Sequence, residues 1–385
     1  MPVTITFPQP ASDPSEVIRF HWQDEDENLQ RPALDADSIL VSFVVAPINP
    51  QDMLVLSGRY PVKPIHKHEG ESIPGYDGVA RVTAVGGPSK SSDSESSLQV
   101  GDLVIPRRHG LGTWRSQAVF KKADVIRLGP GVDPVAASLF RLAFVPAYLL
   151  VEDMRSLKPG DWIVQNAASG VIAQLVAQFA RLKGCRVCSV VRDRPESDSD
   201  QLKQALSGDG DKNKNVVLVT ESELEAKGAD AHPALAQASA AGRVVLALDA
   251  AFGASGERLA SLLSRGGTYV NYGSLSGGDG VIRLSQRLLF WNEARFRNFR
   301  LSEQLGQRTP AEQDSMFAWF EDMLERGLLT APAVEKIQVP RHETADFEKK
   351  VIEVLRAASG NSSDKKNTVG MKKHVLDFEG WRQTA

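Results

Sequence analysis

Cysteine is almost missing from this chain: two occur in 385 residues, Cys185 and Cys188. Both fall on the approach to an apolar segment rather than in a loop, which argues against a redox Cys-x-x-Cys pair. No apolar stretch approaches the length that a membrane helix requires. Long basic runs and aromatic-basic interleaving are also lacking, and at a formal net charge of -3 nucleic acid is not an expected partner. The first thirty residues hold a single arginine, Arg19, against Asp13, Glu16, Asp24, Glu25, Asp26 and Glu27. A transit peptide has the opposite balance, so either the protein stays in the cytoplasm or the chain shown is a mature form. Metal ligands are scarce in the first half: no cysteine precedes position 185, and His66, His68 and His109 lie among lysines, arginines and glycines. No metal site is expected on that basis. Ser169, in Ala-Ala-Ser-Gly-Val, lacks a Gly-x-Ser-x-Gly elbow, so nucleophilic catalysis finds little support.

What is present is enough chain for two compact domains, with 42% hydrophobic residues. The most informative stretch is Asp161 to Arg194. A buried strand, Trp162 to Gln165, is predicted to meet a small-residue turn (Ala167, Ala168, Ser169, Gly170), then an apolar-periodic helix, then a strand from Arg186 to Val191. Small residues at Ala167, Gly170 and Ala173 let backbone approach a pyrophosphate, and the free amides of a helix start face the anion. Where such a unit usually places an acid for a ribose hydroxyl, Asp193 stands between Arg192 and Arg194. Two guanidinium groups suit a 2'-phosphate, so NADPH is expected over NADH.

Alternating apolar segments, Ser38 to Ile48, Gly78 to Val85 and Asp102 to Arg108, predict an antiparallel, barrel-like first domain. From Asp161 onward strand patterns alternate with helical ones: Val216 to Glu221, Arg243 to Ala250, Gly266 to Ser274 and Arg295 to Ser302. That alternation predicts a doubly wound parallel sheet. Two polar runs, Ser89 to Ser97 and Ser207 to Asn215, read as exposed insertions. A helix around Asp314 to Gly327, a strand-like Lys-Ile-Gln-Val-Pro and a helix from Ala345 to Ala357 follow, and need not belong to the sheet.

Hydride transfer then needs an oriented nicotinamide and a proton donor near the accepting carbon. Tyr60 is the candidate. It ends a loop in which Asn49 and Pro50 stop a strand and start a short helix, and spacing alone leaves open that it is a loop anchor with a buried ring and wet hydroxyl.

Asn-Pro-x-Asp at Asn49 to Asp52 leading to Tyr60, Gly-Leu-Gly-Thr-Trp-Arg at Gly110 to Arg115, and Val-Val-Arg-Asp-Arg-Pro at Val190 to Pro195 resemble the mitochondrial 2-enoyl thioester reductases. This is a zinc-free branch of the medium-chain dehydrogenase/reductases, and the resemblance runs from about Leu40 to Leu376. It implies an α/β fold: a Rossmann-type sheet over 151–302, and a mostly antiparallel, GroES-like catalytic domain from 1–150 and 303–385. It also implies NADPH-dependent reduction of trans-2-enoyl thioesters of coenzyme A or acyl carrier protein in mitochondrial fatty-acid synthesis, by a homodimer joined at the edge of the cofactor sheet. Tyr60 matches the catalytic tyrosine. Ser169, Gly170, Val171 and Ile172 would touch the pyrophosphate, Arg192, Asp193 and Arg194 the 2'-phosphate, and Tyr272, Gly273, Ser274 and Leu275 the nicotinamide side. Phe299, Arg300, Leu301, Ser302 and Lys373 match further cofactor-contacting positions.

Two departures stand out. Ala143 to Tyr148 reads Ala-Phe-Val-Pro-Ala-Tyr where the family has Asn-Pro-Cys-Thr-Ala-Tyr, and Gly75 to Gly78 reads Gly-Tyr-Asp-Gly where it has Gly-Asn-Glu-Gly. The first removes an amide and a hydroxyl from the nicotinamide surroundings; the second is expected to put a bulky phenol, Tyr76, beside the cleft. Quinone or enone reduction, and a non-catalytic NADPH-binding partner or regulator, are the rival readings.

Overall fold

A computed structural model describes residues 1–23, 34–87, 98–195, 215–275, 280–359 and 373–381. The polar run Ser89 to Ser97, and Ser207 to Asn215 apart from Asn215 itself, lie outside the described residues. The chain divides into two compact units, Met1–Leu142 with Asp314–Ala385, and Ala143–Gln313. The junctions therefore fall at 142/143 and 313/314, not at 150/151 and 302/303.

The unit Ala143–Gln313 is built on six parallel strands. Numbered in chain order, Trp162–Gln165, Arg186–Val191, Val216–Thr220, Val244–Asp249, Thr268–Asn271 and Arg295–Asn298 are arranged 3-2-1-4-5-6. That is the doubly wound order, with its reversal of strand order at the first strand. Trp162–Gln165 and Val244–Asp249 are buried along their whole length, as strands covered on both faces must be, which is why they read as unbroken apolar runs. The helix Val171–Leu182 buries Ala173, Leu175, Val176, Ala177, Phe179 and Ala180. It stops where Gly184 turns left-handed at φ +68° and the Cys185 amide bonds back to the Ala180 carbonyl at 2.9 Å.

Cys185 and Cys188 are both buried free thiols. Burial pushes them up to about 11 and about 12, away from the thiolate form that redox exchange needs. The sixth strand is shorter than its sequence pattern. Its neighbour ends at Asn271, opposite Asn298, so the ladder has no further partner; Phe299 donates the last amide to the Asn271 carbonyl and the chain turns into the helix Leu301–Gly306.

In the other unit the ten-residue strand Ser38–Pro47 is buried throughout and organises a mostly antiparallel sheet. It pairs with Val79–Val85 along one edge; Gln117–Lys121 and Lys373–Asp377 share the other, at its beginning and end respectively. The C-terminal tail stays out of the parallel sheet and joins this one: Val334–Gln338 lies parallel to Lys373–Asp377, which is antiparallel to Ser38–Pro47. The helices Pro310–Glu325 and Ala345–Ala358 follow the expected tail pattern, the first starting four residues before Asp314. Phe347, Val351, Val354 and Leu355 recur at helical spacing and join the core that holds Ile39, Phe43 and Phe378.

Candidate functional site

In the parallel unit, the first strand ends in a turn whose geometry suits close approach of an anion. Ala167 adopts φ +48°, the left-handed conformation that glycine normally supplies, at a cost on the order of 1 kcal/mol for a residue with a Cβ. Gly170 caps the helix Val171–Leu182, and a Cβ there would sit 3.1 Å from the Ala167 carbonyl oxygen. The first turn of the helix leaves its amides, including those of Val171 and Ile172, without intrahelical acceptors. The Gln174 amide side chain closes the turn from behind by donating to the Ser169 carbonyl at 2.9 Å.

Beneath the turn, Asn166 ties two strand ends together. Its Nδ2 donates to Asp249 Oδ1 at 2.6 Å and Ser255 Oγ at 2.9 Å, while its Oδ1 accepts the Ala250 amide at 2.8 Å. Asp249 also accepts the Ala251 and Phe252 amides and the Tyr269 hydroxyl. These bonds lock the carboxyl ends of the first and fourth strands, the crevice where this topology binds ligands.

Arg192, Asp193 and Arg194 leave the end of the second strand. Arg192 and Asp193 are exposed, and Arg194 Nε donates to the Arg192 carbonyl at 3.3 Å. The Asp193 carboxylate is occupied by the Ser222 hydroxyl, whose hydrogen bond holds it below the usual range. After the fifth strand, Gly273 passes so near the Ala250 carbonyl oxygen that a Cβ would lie 2.7 Å from it, and Asn271 Nδ2 grips the Gly273 carbonyl at 2.7 Å. Burial raises the Tyr272 hydroxyl, while Ser274 and Leu275 are exposed. Phe299 is buried, Arg300 is exposed and paired with Glu303 at 2.6 Å, and Leu301 and Ser302 open the next helix. Fifteen of the sixteen cofactor candidates thus lie in this one unit, at or beyond the ends of its strands.

The sixteenth, Lys373, lies in the antiparallel unit among groups that sequence reading did not connect. The helix Pro50–Leu56 starts with Pro50 at its first position, and the Asp52 carboxylate accepts the Asn49 amide at 2.7 Å. Lys373 Nζ donates to Asn49 Oδ1 at 2.5 Å. Burial raises Asp52 to about 7 and lowers Lys373 to about 8, each partly offset by the other's charge. The same helix carries the backbone into Tyr60, whose amide bonds to the Leu54 carbonyl at 3.0 Å. The Tyr60 ring meets Tyr76 edge-on with centroids 5.9 Å apart, and His109 at 6.4 Å.

Tyr76 corrects an expectation. Instead of standing beside a cleft it is fully buried, with its hydroxyl donated to the Val62 carbonyl at 2.6 Å, and it supports the Tyr60 ring from the side. The Gly75 turn before it has no room for a side chain: a Cβ would lie 2.3 Å from Trp114. Residues 143–148 are buried except at Tyr148, where exposure is partial, and they continue a π-helical turn, Phe140–Phe144, into the helix Val145–Glu152.

His109, set aside by sequence reading as a poor metal ligand, is buried and accepts from Arg141 Nη2 at Nδ1, 3.3 Å away. An arginine cannot accept, so the proton sits on Nε2, and that buried donor has no partner among the described residues. Burial, reinforced by Arg141, holds the imidazole neutral with a pKa of about 3. Asp77 accepts the Leu142 amide at 3.1 Å and the Gly78 amide at 3.0 Å; burial pushes it up to about 8, against the opposing pull of Arg141. A raised carboxyl adds stability at low pH that is lost as pH climbs from its unfolded value near 4 through about 8. Asp77→Asn removes the charge but keeps a single acceptor oxygen for the two backbone amides. Urea unfolding is expected to find the variant's stability relative to the parent lowest at pH 4 and rising steadily to pH 8; a difference that does not change with pH would contradict the assignment.

A tight small-residue turn on a 3-2-1-4-5-6 sheet, carried as an insertion between two parts of a mostly antiparallel unit, defines the medium-chain dehydrogenase/reductase class. No family model matches the chain. The human mitochondrial enoyl-[acyl-carrier-protein] reductase is 32% identical over 335 residues, 86% of this chain and 82% of that protein. Among solved structures, a mitochondrial 2-enoyl thioester reductase heterodimer from Candida tropicalis matches with TM-score 0.78 at 23% identity, covering 98% of this chain and 99% of that one. The Etr1p complex with NADP and crotonyl-CoA matches with TM-score 0.77 at 22% identity and the same coverage, so both share the fold. The chain belongs to the mitochondrial enoyl-[acyl-carrier-protein] reductase family.

Proposed function

We propose that the protein reduces trans-2-enoyl thioesters of coenzyme A or acyl carrier protein to saturated acyl thioesters, using NADPH. The observation that carries this reading is the Arg192-Asp193-Arg194 strand end beside a tight phosphate turn, in a chain that also keeps the Asn49–Tyr60 loop of its family. The turn fits the cofactor: backbone can approach at Ala167 and Gly170, helix amides face outward, and two guanidinium groups flank an aspartate already taken by Ser222. Ser169, Gly170, Val171 and Ile172 hold the pyrophosphate, Tyr272 to Leu275 line the nicotinamide side, and Phe299 to Ser302 complete the enclosure.

When bound, NADPH supplies a hydride, which forms the new C–H bond at the β-carbon. The alkene π pair then moves onto the α-carbon and the thioester oxygen, and the Tyr60 hydroxyl delivers the proton that completes the second C–H bond at the α-carbon. Burial, reinforced by Arg141, keeps His109 neutral and so keeps it from competing for that proton.

The protein works as a homodimer through the outer edge of the parallel sheet. Arg295–Asn298 is that edge, and the residues leading to it expose Leu289, Phe290 and Trp291, the last two at 67% and 65%. Its compartment is the mitochondrial matrix, in keeping with the family; among the described residues no helix is long and apolar enough to cross a membrane.

The test is NADPH oxidation followed with trans-2-hexenoyl-CoA, with a quinone and an enone run beside it, and with NADH substituted for NADPH. Turnover is expected with the enoyl thioester and NADPH. Arg192→Ala with Arg194→Ala is expected to raise the KM for NADPH by about 10- to 100-fold while changing that for NADH little, since each charge-assisted pair to phosphate is worth about 1.5–3 kcal/mol when well formed and less when exposed. Equal losses with both cofactors would remove the 2'-phosphate assignment, and turnover confined to the quinone would replace the substrate class.

A further inference from the structure

Away from the tyrosine loop, two hairpins of the antiparallel unit bring histidines together. His21 lies on Arg19–Trp22, paired with Val3–Thr6; His68 and Glu69 lie on the hairpin of Lys67–His68 and Glu71–Ser72. One ligating atom from each of His21, His68 and Glu69 falls within 4.8 Å of the others. The two imidazoles meet edge to face, with centroids 4.8 Å apart and planes at 67°.

The hydrogen bonds around His21 decide which nitrogen is available. The Thr6 hydroxyl donates its only proton to Glu71 at 2.6 Å, so toward His21 Nε2, 2.8 Å away, it can only accept. Nε2 therefore carries a ring proton, which leaves Nδ1 as the nitrogen that can face a ligand. Nδ1 is the atom that faces the Glu69 carboxylate, at 3.8 Å. Arg19 holds the other Glu71 oxygen and fixes the far end of this relay. A ligating histidine characteristically donates its second ring N–H to an anchored oxygen, which sets both tautomer and ring orientation. The chain Arg19–Glu71–Thr6–His21 supplies that anchor.

Glu69 occupies the first central position of its hairpin turn, with φ +49°, followed by Gly70 at +84°. Asparagine, aspartate or glycine is usual there. A glutamate brings instead a carboxylate long enough to reach the histidines, and at 72% exposure its side chain is free to swing inward. Metal bonds of about 2.0–2.1 Å place tetrahedral ligands roughly 3.4 Å apart, so a cluster spread over 4.8 Å must contract, and this rotation supplies the carboxylate's share. Two imidazoles and one carboxylate select a borderline transition ion over calcium or magnesium, which take oxygen ligands.

We propose that His21 Nδ1, His68 and Glu69 bind one Zn2+-class ion, with water in the remaining position, and so tie the N-terminal hairpin to the Lys67–Ser72 hairpin. Sequence reading missed the site because the His21 strand is brought beside His68 by long-range pairing alone.

Isothermal titration of Zn2+ into the full-length, untagged, chelator-treated protein tests this. One equivalent per chain is expected at micromolar affinity or tighter, with a rise in melting temperature. His68→Ala and Glu69→Gln should each weaken binding at least about tenfold, and Thr6→Val about 10- to 100-fold by releasing the His21 tautomer. His342→Ala, at an exposed histidine elsewhere, should bind like the parent. All four are to be compared with the parent for melting temperature without zinc, so that a folding defect is separated from a lost ligand. Absence of binding in the parent, or equal affinity in the parent, His68→Ala and Glu69→Gln, overturns the proposal, as does Mg2+ competing at equal concentration.

Discussion

Tyr60→Phe lowers kcat for enoyl thioester reduction by about 10²- to 10⁴-fold, the range for a lost general acid, and leaves the melting temperature near that of the parent. The expectation rests on where the ring sits. Tyr60 packs edge-on against Tyr76 and His109, contacts that phenylalanine keeps, so only the hydroxyl is removed. Tyr76→Phe is the companion measurement. Its hydroxyl is spent on the Val62 carbonyl and cannot reach a substrate, so the cost should appear in stability, about 1 kcal/mol for one buried hydrogen bond with its acceptor left unpaired, and little in kcat. A Tyr60→Phe enzyme within twofold of the parent would make the residue a loop anchor and return the choice of proton donor to another group.

Lys373→Met is expected to destabilise the protein by about 1–3 kcal/mol in urea unfolding, the cost of leaving the buried Asn49 oxygen unpaired and Asp52 without its offsetting charge. Lys373 is buried, its Nζ donates to Asn49 Oδ1, and its charge offsets that of Asp52. Removing the ammonium takes away the charge that offsets burial, so the Asp52 carboxyl at the start of the helix that leads into Tyr60 rises further and holds a proton at neutral pH. Adding Asp52→Asn should recover part of the loss, because the buried carboxyl goes with it; a double-mutant cycle measures how much. The same variant separates two roles for Lys373. If the lysine holds the tyrosine loop, stability falls and the KM for NADPH stays put; if it touches the cofactor, as the family alignment implies, that KM rises. A loss under 1 kcal/mol would show that the pair is not what holds the loop.

The cofactor unit was legible because its signals are local. Trp162–Gln165 and Arg186–Val191 form over the residues their apolar runs predicted, since a strand buried on both faces is mostly apolar. The turn between them was legible as small residues, although not that Ala167 would take up the glycine conformation itself. Where a boundary depended on a neighbour, the pattern misled: Arg295 to Ser302 reads as one strand, yet ends at Asn298 because the adjacent strand stops at Asn271. Tyr76 was misplaced for a related reason, as burial of its ring is decided by what surrounds the Gly75 turn and not by the turn's own residues.

The sequence by itself determined the parallel sheet, the small-residue turn after its first strand, the arginine pair after its second, and the short helix that leads into Tyr60. Each is written in residues close together in the chain, where periodicity and turn chemistry act. Only the tertiary structure decided that Asp52, Asn49 and Lys373 form one buried group, that His109 is a neutral donor set by Arg141, and that His21 meets His68. Those residues are distant in sequence, and burial, which sets their protonation and pairing, is a property of the packed chain and not of any one segment.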